Sequence, residues 1–260
     1  MKAGFIQTSP IFGEKEKNFD QVRSLVGDAK TDLLVLPELF ATGYAYRSKE
    51  EAEKMAEDIH GPTANFLCEL SKKTEGVIVG GFVEKAEGKI FNSSLIVYEG
   101  KVIDTYRKIH LFNKEKLWFS PGDKPFRVYE INNFKLGVMI CFDWIFPEVA
   151  RTMALKGAQI IAHPSNLVMP WCQHAMITRC IENRLFAVTA NRIGTEQRNE
   201  DIFTFTGGSQ IVSYDGSVMC AAADDKVALS IVDVDIQKAN NKTINQFNDV
   251  IGDRREEFYK

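Results

Sequence analysis

Three reactive side chains stand where short ordered runs stop. The apolar run Leu33-Leu34-Val35-Leu36-Pro37 ends in Glu38, and Gly137-Val138-Met139-Ile140 ends in Cys141. Tyr106-Arg107 leads into Lys108 at the end of a hairpin pattern. In α/β folds, catalytic groups gather in loops outside the carboxyl ends of buried strands, where a rigid sheet fixes them. A cysteine at a strand-to-helix elbow lies near outward-pointing backbone N–H groups, which lower a thiol pKa and can hold a developing oxyanion. A carboxylate following four apolar residues is partly desolvated, which raises its pKa and suits proton transfer near neutrality. A cation near the sulfur stabilises both a thiolate and a tetrahedral oxyanion. Each residue has a plainer alternative: a core thiol, a solvated turn carboxylate, an exposed basic edge. The combination carries the chemical reading.

The elements that must position these groups alternate in type. Residues 3–8 read as a strand, Glu14 to Lys30 as a helix with Phe19, Val22, Val26 and Ala29 on one face, and Asp32 to Leu36 as a buried strand. A helix starts at Ser48 with Glu51 completing a capping box, and another starts at Pro62. Val77 to Val83 is a strand interrupted by Gly80-Gly81, and Glu99-Gly100 joins Phe91–Tyr98 to Lys101–Arg107 as a tight hairpin. Strands follow at 127–131 and 135–140, a helix at 147–157, a strand at 159–162, a helix at 175–186, and strands at 187–191, 209–213, 217–221 and 227–233. That number exceeds what one open sheet accommodates, so the expected fold class is α/β, a four-layer αββα sandwich with two mixed β-sheets, spanning 1–260 as one domain. The polar stretch Gln237 to Lys260 either wraps over another surface, such as a second subunit, or frays.

Composition narrows the function classes. The chain has 260 residues, 45% hydrophobic, with 32 basic against 35 acidic residues and a formal charge of -3. No run of five like charges invites nucleic acid or an anionic membrane, and no apolar stretch approaches a membrane span. Cys68, Cys141, Cys172, Cys180 and Cys220 are odd in number and scattered, which argues against disulfides or a zinc knuckle and fits a reducing cytoplasm. His60, His110, His163 and His174 lack metal-ligand spacing, and the chain shows no phosphate loop or dinucleotide fingerprint, so no metal or cofactor is expected. A Cys141–His163 dyad is a second, less favoured catalytic arrangement. Arg179 and Arg184 read as partners in structural ion pairs around Glu182.

The segments Leu36-Pro37-Glu38, Tyr106 to Phe112, and Met139 to Asp143 resemble, in order and separation, the three motifs of the nitrilase superfamily of carbon-nitrogen hydrolases. The similarity continues through 119–123, 154–158, His163-Pro164-Ser165-Asn166, Glu182-Asn183-Arg184 and Asn248-Asp249. The resemblance implies an αββα sandwich that stacks into homodimers or higher homo-oligomers. It also implies a triad of Glu38 as general base, Lys108 as oxyanion cation and Cys141 as nucleophile, with Glu115 as a second glutamate orienting substrate. The implied reaction is hydrolysis of a small amide, amidase- or carbamoylase-like, through a thioester, with release of ammonia or an amine. True nitrilases usually follow the cysteine with Trp-Glu, whereas this chain has Phe142-Asp143, which favours a small aliphatic amide or a dicarboxylic acid monoamide over a nitrile. A nitrile-hydrolysing enzyme, a non-catalytic ligand-binding or scaffold relative, and an acyltransferase are the alternatives. Tyr44, Phe112, Phe142, Trp144, Asn166 and Trp171, in loops after the candidate strands, are expected to line the substrate pocket.

Overall fold

A computed structural model describes residues 1–198 and 200–259. Its first half runs β1 (Lys2–Gln7), α1 (Lys15–Val26), β2 (Leu33–Val35), α2 (Lys49–Met55), α3 (Pro62–Thr74), β3 (Val77–Ala86), β4 (Lys89–Tyr98) and β5 (Lys101–Arg107). There follow α4 (Glu115–Trp118), β6 (Val128–Ile131), β7 (Phe134–Val138), a 3-10 turn over Cys141–Ile145, α5 (Pro147–Leu155), β8 (Ile160–Pro164), α6 (Cys172–Asn183) and β9 (Phe186–Ala190). The remaining strands are β10 (Thr195–Arg198), β11 (Asp201–Thr204), β12 (Gln210–Val212), β13 (Val218–Ala221), β14 (Ala228–Asp233), β15 (Thr243–Asn245) and β16 (Asn248–Asp249). Among the described residues no helix is long and apolar enough to cross a membrane.

Two six-stranded sheets result, ordered β14-β1-β2-β3-β4-β5 and β13-β12-β9-β8-β7-β6. Each has a parallel centre, β1-β2-β3 in one and β7-β8-β9 in the other, flanked by antiparallel pairs. Because side chains alternate along a strand, one strand feeds two layers. Ala3, Phe5, Leu33, Val35, Val77 and Val79 share a core with Val138, Ile140 and Ile161 of the second sheet. Their neighbours Ile6, Leu34, Leu36 and Ile78 pack outward on Phe19 and Val22 of α1 and Phe66, Leu67 and Leu70 of α3. A strand buried on both faces must be apolar throughout, which is why these runs carry no polar alternation. On the far face, α5 and α6 bring Val149, Met153, Met176 and Cys180 into the core, completing the αββα order.

The hairpin between β4 and β5 turns at Glu99 and Gly100, both at positive φ (49° and 72°), as a two-residue primed turn requires. Several boundaries differ from the sequence expectation. Helix α1 stops at Val26, because Gly27 leaves the helical region at φ 49°. Ser48 caps α2 by accepting from the Glu51 N–H, but Glu51 reaches back to the Arg47 N–H rather than the Ser48 N–H, so the capping box is not reciprocal. The Gly80-Gly81 pair does not interrupt β3, which runs on to Ala86. The β10–β11 hairpin carries no apolar alternation strong enough to announce it. The C-terminal stretch is tied down near its start: Lys242 Nζ donates to the Asn183 and Arg184 carbonyls at the end of α6, and Arg184 returns a bond to the Asn241 carbonyl.

Gly81 of β3 shows how closely the interior of the first sheet is built around Glu38. A Cβ placed there would lie 2.6 Å from the Glu38 Cα and 2.4 Å from the Leu39 nitrogen, so the loop leaving β2 crosses β3 where only glycine permits it. Gly81→Ala is therefore expected to cost about 1–3 kcal/mol, as overpacking against rigid backbone does. Urea unfolding would check it, the midpoint falling with the slope unchanged.

Candidate active site

The end of β2 and the end of β7 meet at one pole of the sandwich, and both leave their sheets by a residue with left-handed backbone. Leu39, directly after Glu38, has φ 47°, and Cys141 itself has φ 41°. Such a conformation costs an L-residue on the order of 1 kcal/mol and persists only where its surroundings impose it. At Cys141 the imposing group is Asp143, which is fully buried. One of its oxygens accepts from the Ile140 N–H (2.9 Å) and the Tyr106 hydroxyl (2.7 Å), while the other accepts from the His110 N–H (3.1 Å) and meets His110 Nδ1 (2.7 Å). The carboxylate thus ties the cysteine turn to the end of β5 and the loop beyond it.

Lys108 follows β5 by one residue, and its N–H still pairs with the Asn92 carbonyl of β4 at 2.8 Å. Its side chain is fully buried, and Nζ donates to Glu38 Oε1 at 2.6 Å and to Glu115 Oε1 at 2.8 Å. Asn92 Nδ2 also donates to Glu38 Oε1, at 2.6 Å. Glu38 Oε2, equally buried, has no protein partner among the described residues. One oxygen of this carboxylate is therefore anchored and the other is free. Glu115, at the start of α4, is held by the Tyr44 hydroxyl on Oε1 (2.8 Å) and the Phe112 N–H on Oε2 (3.2 Å).

Competing charges govern the protonation states. Burial alone would depress Lys108, but Glu115 and Glu38 outweigh it and hold the ammonium well above the usual lysine range. Burial raises Glu115 above the ordinary carboxylate range against the pull of Lys108. Burial also raises Tyr44, with Glu115 adding to the shift, so the phenol remains a donor. For Cys141, burial pushes the thiol well above its ordinary range and the negative field of Glu38 adds to it; Lys108 and the Asn166 backbone N–H pull the other way without prevailing. The expectation that the elbow would lower this thiol pKa is thus reversed, because desolvation beside two carboxylates exceeds the help of one cation. The cluster holds the sulfur protonated next to an acceptor.

Phe112, Phe142, Trp144 and Asn166 line a narrow cleft of about 10 Å3 beside Cys141, together with Leu167, Val168 and Met169. Tyr44 does not line this cleft: it borders a separate pocket with Glu115 and Trp118, bonded to Glu115 and packed edge-on against Phe203 and Phe205. Trp171 is not brought in: it precedes α6, is 58% exposed and does not line the cleft. His163 does not form a dyad with the sulfur. Its Nε2 meets the Cys141 carbonyl oxygen at 3.0 Å, and burial takes its pKa down to about 4, so it is a neutral brace. Arg179 pairs with Glu182 as expected, whereas Arg184 lies over the Tyr214 ring and bonds a backbone carbonyl.

Sequence reasoning passes over three supporting residues. Asn92 has a signal, since Asn92-Ser93-Ser94 is a polar triplet inside an otherwise apolar strand. Asp143 lies within a quoted motif, and its burial is what gives it a role. Glu196 has no local signal: the unanticipated β10–β11 hairpin delivers it to the Tyr44 and Ala45 N–H groups (3.0 and 2.7 Å) and to buried Arg192.

Comparison with known proteins gives the same direction. The family model described as carbon-nitrogen hydrolase matches residues 2–241. The chain is similar to a nitrilase of Pyrococcus abyssi, 43% identical over 263 residues covering 100% of this chain and 99% of that protein. It is 31% identical to an (R)-stereoselective amidase of a Pseudomonas species, covering 98% of this chain and 92% of that one. The crystal structure of a carbon-nitrogen hydrolase from Helicobacter pylori superposes with a TM-score of 0.89 at 27% identity, covering 100% of this chain and 97% of that one.

The raised thiol pKa has a direct readout. Iodoacetamide alkylation of the Cys141 peptide, followed by mass spectrometry, should be slow at neutral pH and keep rising above the ordinary thiol midpoint of about 8.5. A plateau reached below that midpoint would show a pre-formed thiolate instead.

Proposed function

This chain belongs to the carbon-nitrogen hydrolase family and is a cysteine-dependent enzyme acting on non-peptide carbon–nitrogen bonds, and on that premise we propose that Cys141 is its nucleophile. Glu38 serves as general base and acid, Lys108 as the cation at the oxyanion, and Glu115 as the carboxylate that fixes Lys108. The observation that carries the reading is the asymmetry of Glu38, whose Oε1 is anchored by Lys108 and Asn92 while Oε2 is free and buried.

With the thiol held protonated, attack and proton transfer are coupled: Glu38 Oε2 takes the proton as Sγ bonds to the carbonyl carbon. The oxyanion that forms is met by Lys108 Nζ and the Phe142 backbone N–H. Glu38 returns its proton to the departing nitrogen, ammonia or an amine leaves, and a thioester remains on Cys141. Water then gives a proton to Glu38, attacks the thioester carbon, and the acid departs as the sulfur recovers a proton.

An amide is the preferred substrate, on the Phe142-Asp143 pair and the likeness to a stereoselective amidase. The likeness to a protein named nitrilase favours a nitrile as the second reading. We read residues 1–260 as one hydrolase domain working in the cytoplasm, a placement supported by five free cysteines. A homodimer is supported by apolar side chains left exposed on α5 and α6, Leu155 and Ile181, and on the C-terminal stretch, Phe247 and Phe258. A scaffold without activity would leave Cys141 inert to alkylation, and an acyltransferase would form product amides when amines are supplied.

Intact mass spectrometry and ammonia release with small amides, carbamoyl amino acids and nitriles test the reading. Wild type should carry an acyl adduct that Cys141→Ala lacks. Glu38→Gln should lower kcat by about 10²–10⁴-fold, the range of general acid–base assistance. Ammonia released equally by Cys141→Ala would remove the sulfur from the mechanism.

A further inference from the structure

The cleft beside Cys141 is apolar except for one side chain. Asn166 is 3% exposed, and neither its Oδ1 nor its Nδ2 has a hydrogen-bond partner among the described residues. Buried amide groups are almost always paired, so two orphaned atoms on one side chain call for an explanation. Relaxation of the loop does not supply it, because the backbone is pinned on both sides: the Ser165 N–H donates to the Ala190 carbonyl (2.8 Å) and the Leu167 N–H to Asn191 Oδ1 (2.9 Å). Asn166, with its backbone fixed and its amide unpaired and buried, belongs to the same wall as the reactive sulfur.

Charge is what the wall lacks. No acidic or basic side chain lines this cleft, and its thiol is held protonated. Behind the sulfur, two carboxylates share one ammonium, a formal charge of −1, and Lys108 directs its bonds to Glu38 and Glu115. A carboxylate on the acyl part of a substrate would be stripped of water with no cation to receive it and would face that negative field.

Resting on the hydrolase reading above, we propose that the site selects substrates with a short, uncharged acyl group, and that Asn166 orients them by hydrogen bonding a neutral polar group of the substrate. Monoamides of dicarboxylic acids and N-carbamoyl amino acids, both anionic, are then poor substrates. Neutral amides and nitriles of similar length are accepted.

The test compares butyramide, butyronitrile, succinamate and an N-carbamoyl amino acid on wild type, Asn166→Leu and Cys141→Ala, with ammonia release, acyl adducts by intact mass, and urea unfolding. Expected is kcat/KM for a neutral substrate at least about 100-fold above either anion, as an unpaired buried charge implies. Asn166→Leu should lower the neutral kcat/KM about tenfold while its unfolding midpoint holds or rises, because removing orphaned polar atoms relieves the fold. A merely structural asparagine would give the opposite pairing, lower stability with activity kept. Succinamate turned over as well as butyramide, with a Cys141 adduct, would overturn the proposal and leave the hydrolase reading standing. Silence from every substrate, with no adduct, would overturn both.

Discussion

A single buried ammonium shared by two buried carboxylates sets the requirements for the rest of this molecule. Taking charges out of water is costly, and their attraction offsets that only when geometry is good and the remaining lone pairs are occupied. Here Lys108 spans Glu38 and Glu115, Asn92 and Tyr44 add donors, and the Phe112 N–H closes the ring. Those groups come from the segment after β2, from β4, from the segment after β5 and from α4, so the cluster forms only when β2, the β4–β5 hairpin and α4 are all in place. Asn92 contributes twice, its carbonyl holding the Lys108 backbone and its side chain holding Glu38. Among the described residues two atoms of this cluster are left without a partner, Glu38 Oε2 and Asn92 Oδ1, and only the first belongs to a group that can take a proton near neutrality.

The second sheet supplies the sulfur under a different constraint. Its turn is strained at φ 41°, and Asp143 holds it by bonding across to Tyr106 and His110 of the first half of the chain. The two sheets are thus joined at the site by hydrogen bonds to a buried carboxylate, as well as by the apolar core between them. Strain at the cysteine and an unpaired carboxylate oxygen at the glutamate occur together, and both rest on the rigidity of the sandwich behind them.

Much of this is readable from residue order. Strands buried on both faces announce themselves as unbroken apolar runs, and Glu38 and Cys141 are conspicuous because such runs stop at them. The layer count follows from the number of strands. What residue order hides depends on long-range partners: Glu196 reads as one more charged residue in a polar hairpin until it meets Tyr44 and Arg192. Trp171 illustrates the reverse error, since a loop position near a motif does not fix which way an aromatic ring faces. The thiol pKa comes out with the wrong sign because a sequence reveals the cation and the elbow but not the depth of burial.

The pairing of β14 with β1 bears on how the chain comes into being. Lys2 lies opposite Asp233, so the outer edge of the first sheet stays bare until residues 228–233 have left the ribosome. During synthesis the nascent chain carries an unprotected, strongly apolar strand edge through most of its elongation, a template for pairing with neighbouring chains. Contacts of such long sequence separation form slowly. Production of this protein is therefore expected to depend on translation rate and chaperone supply more than the stability of the finished sandwich would suggest.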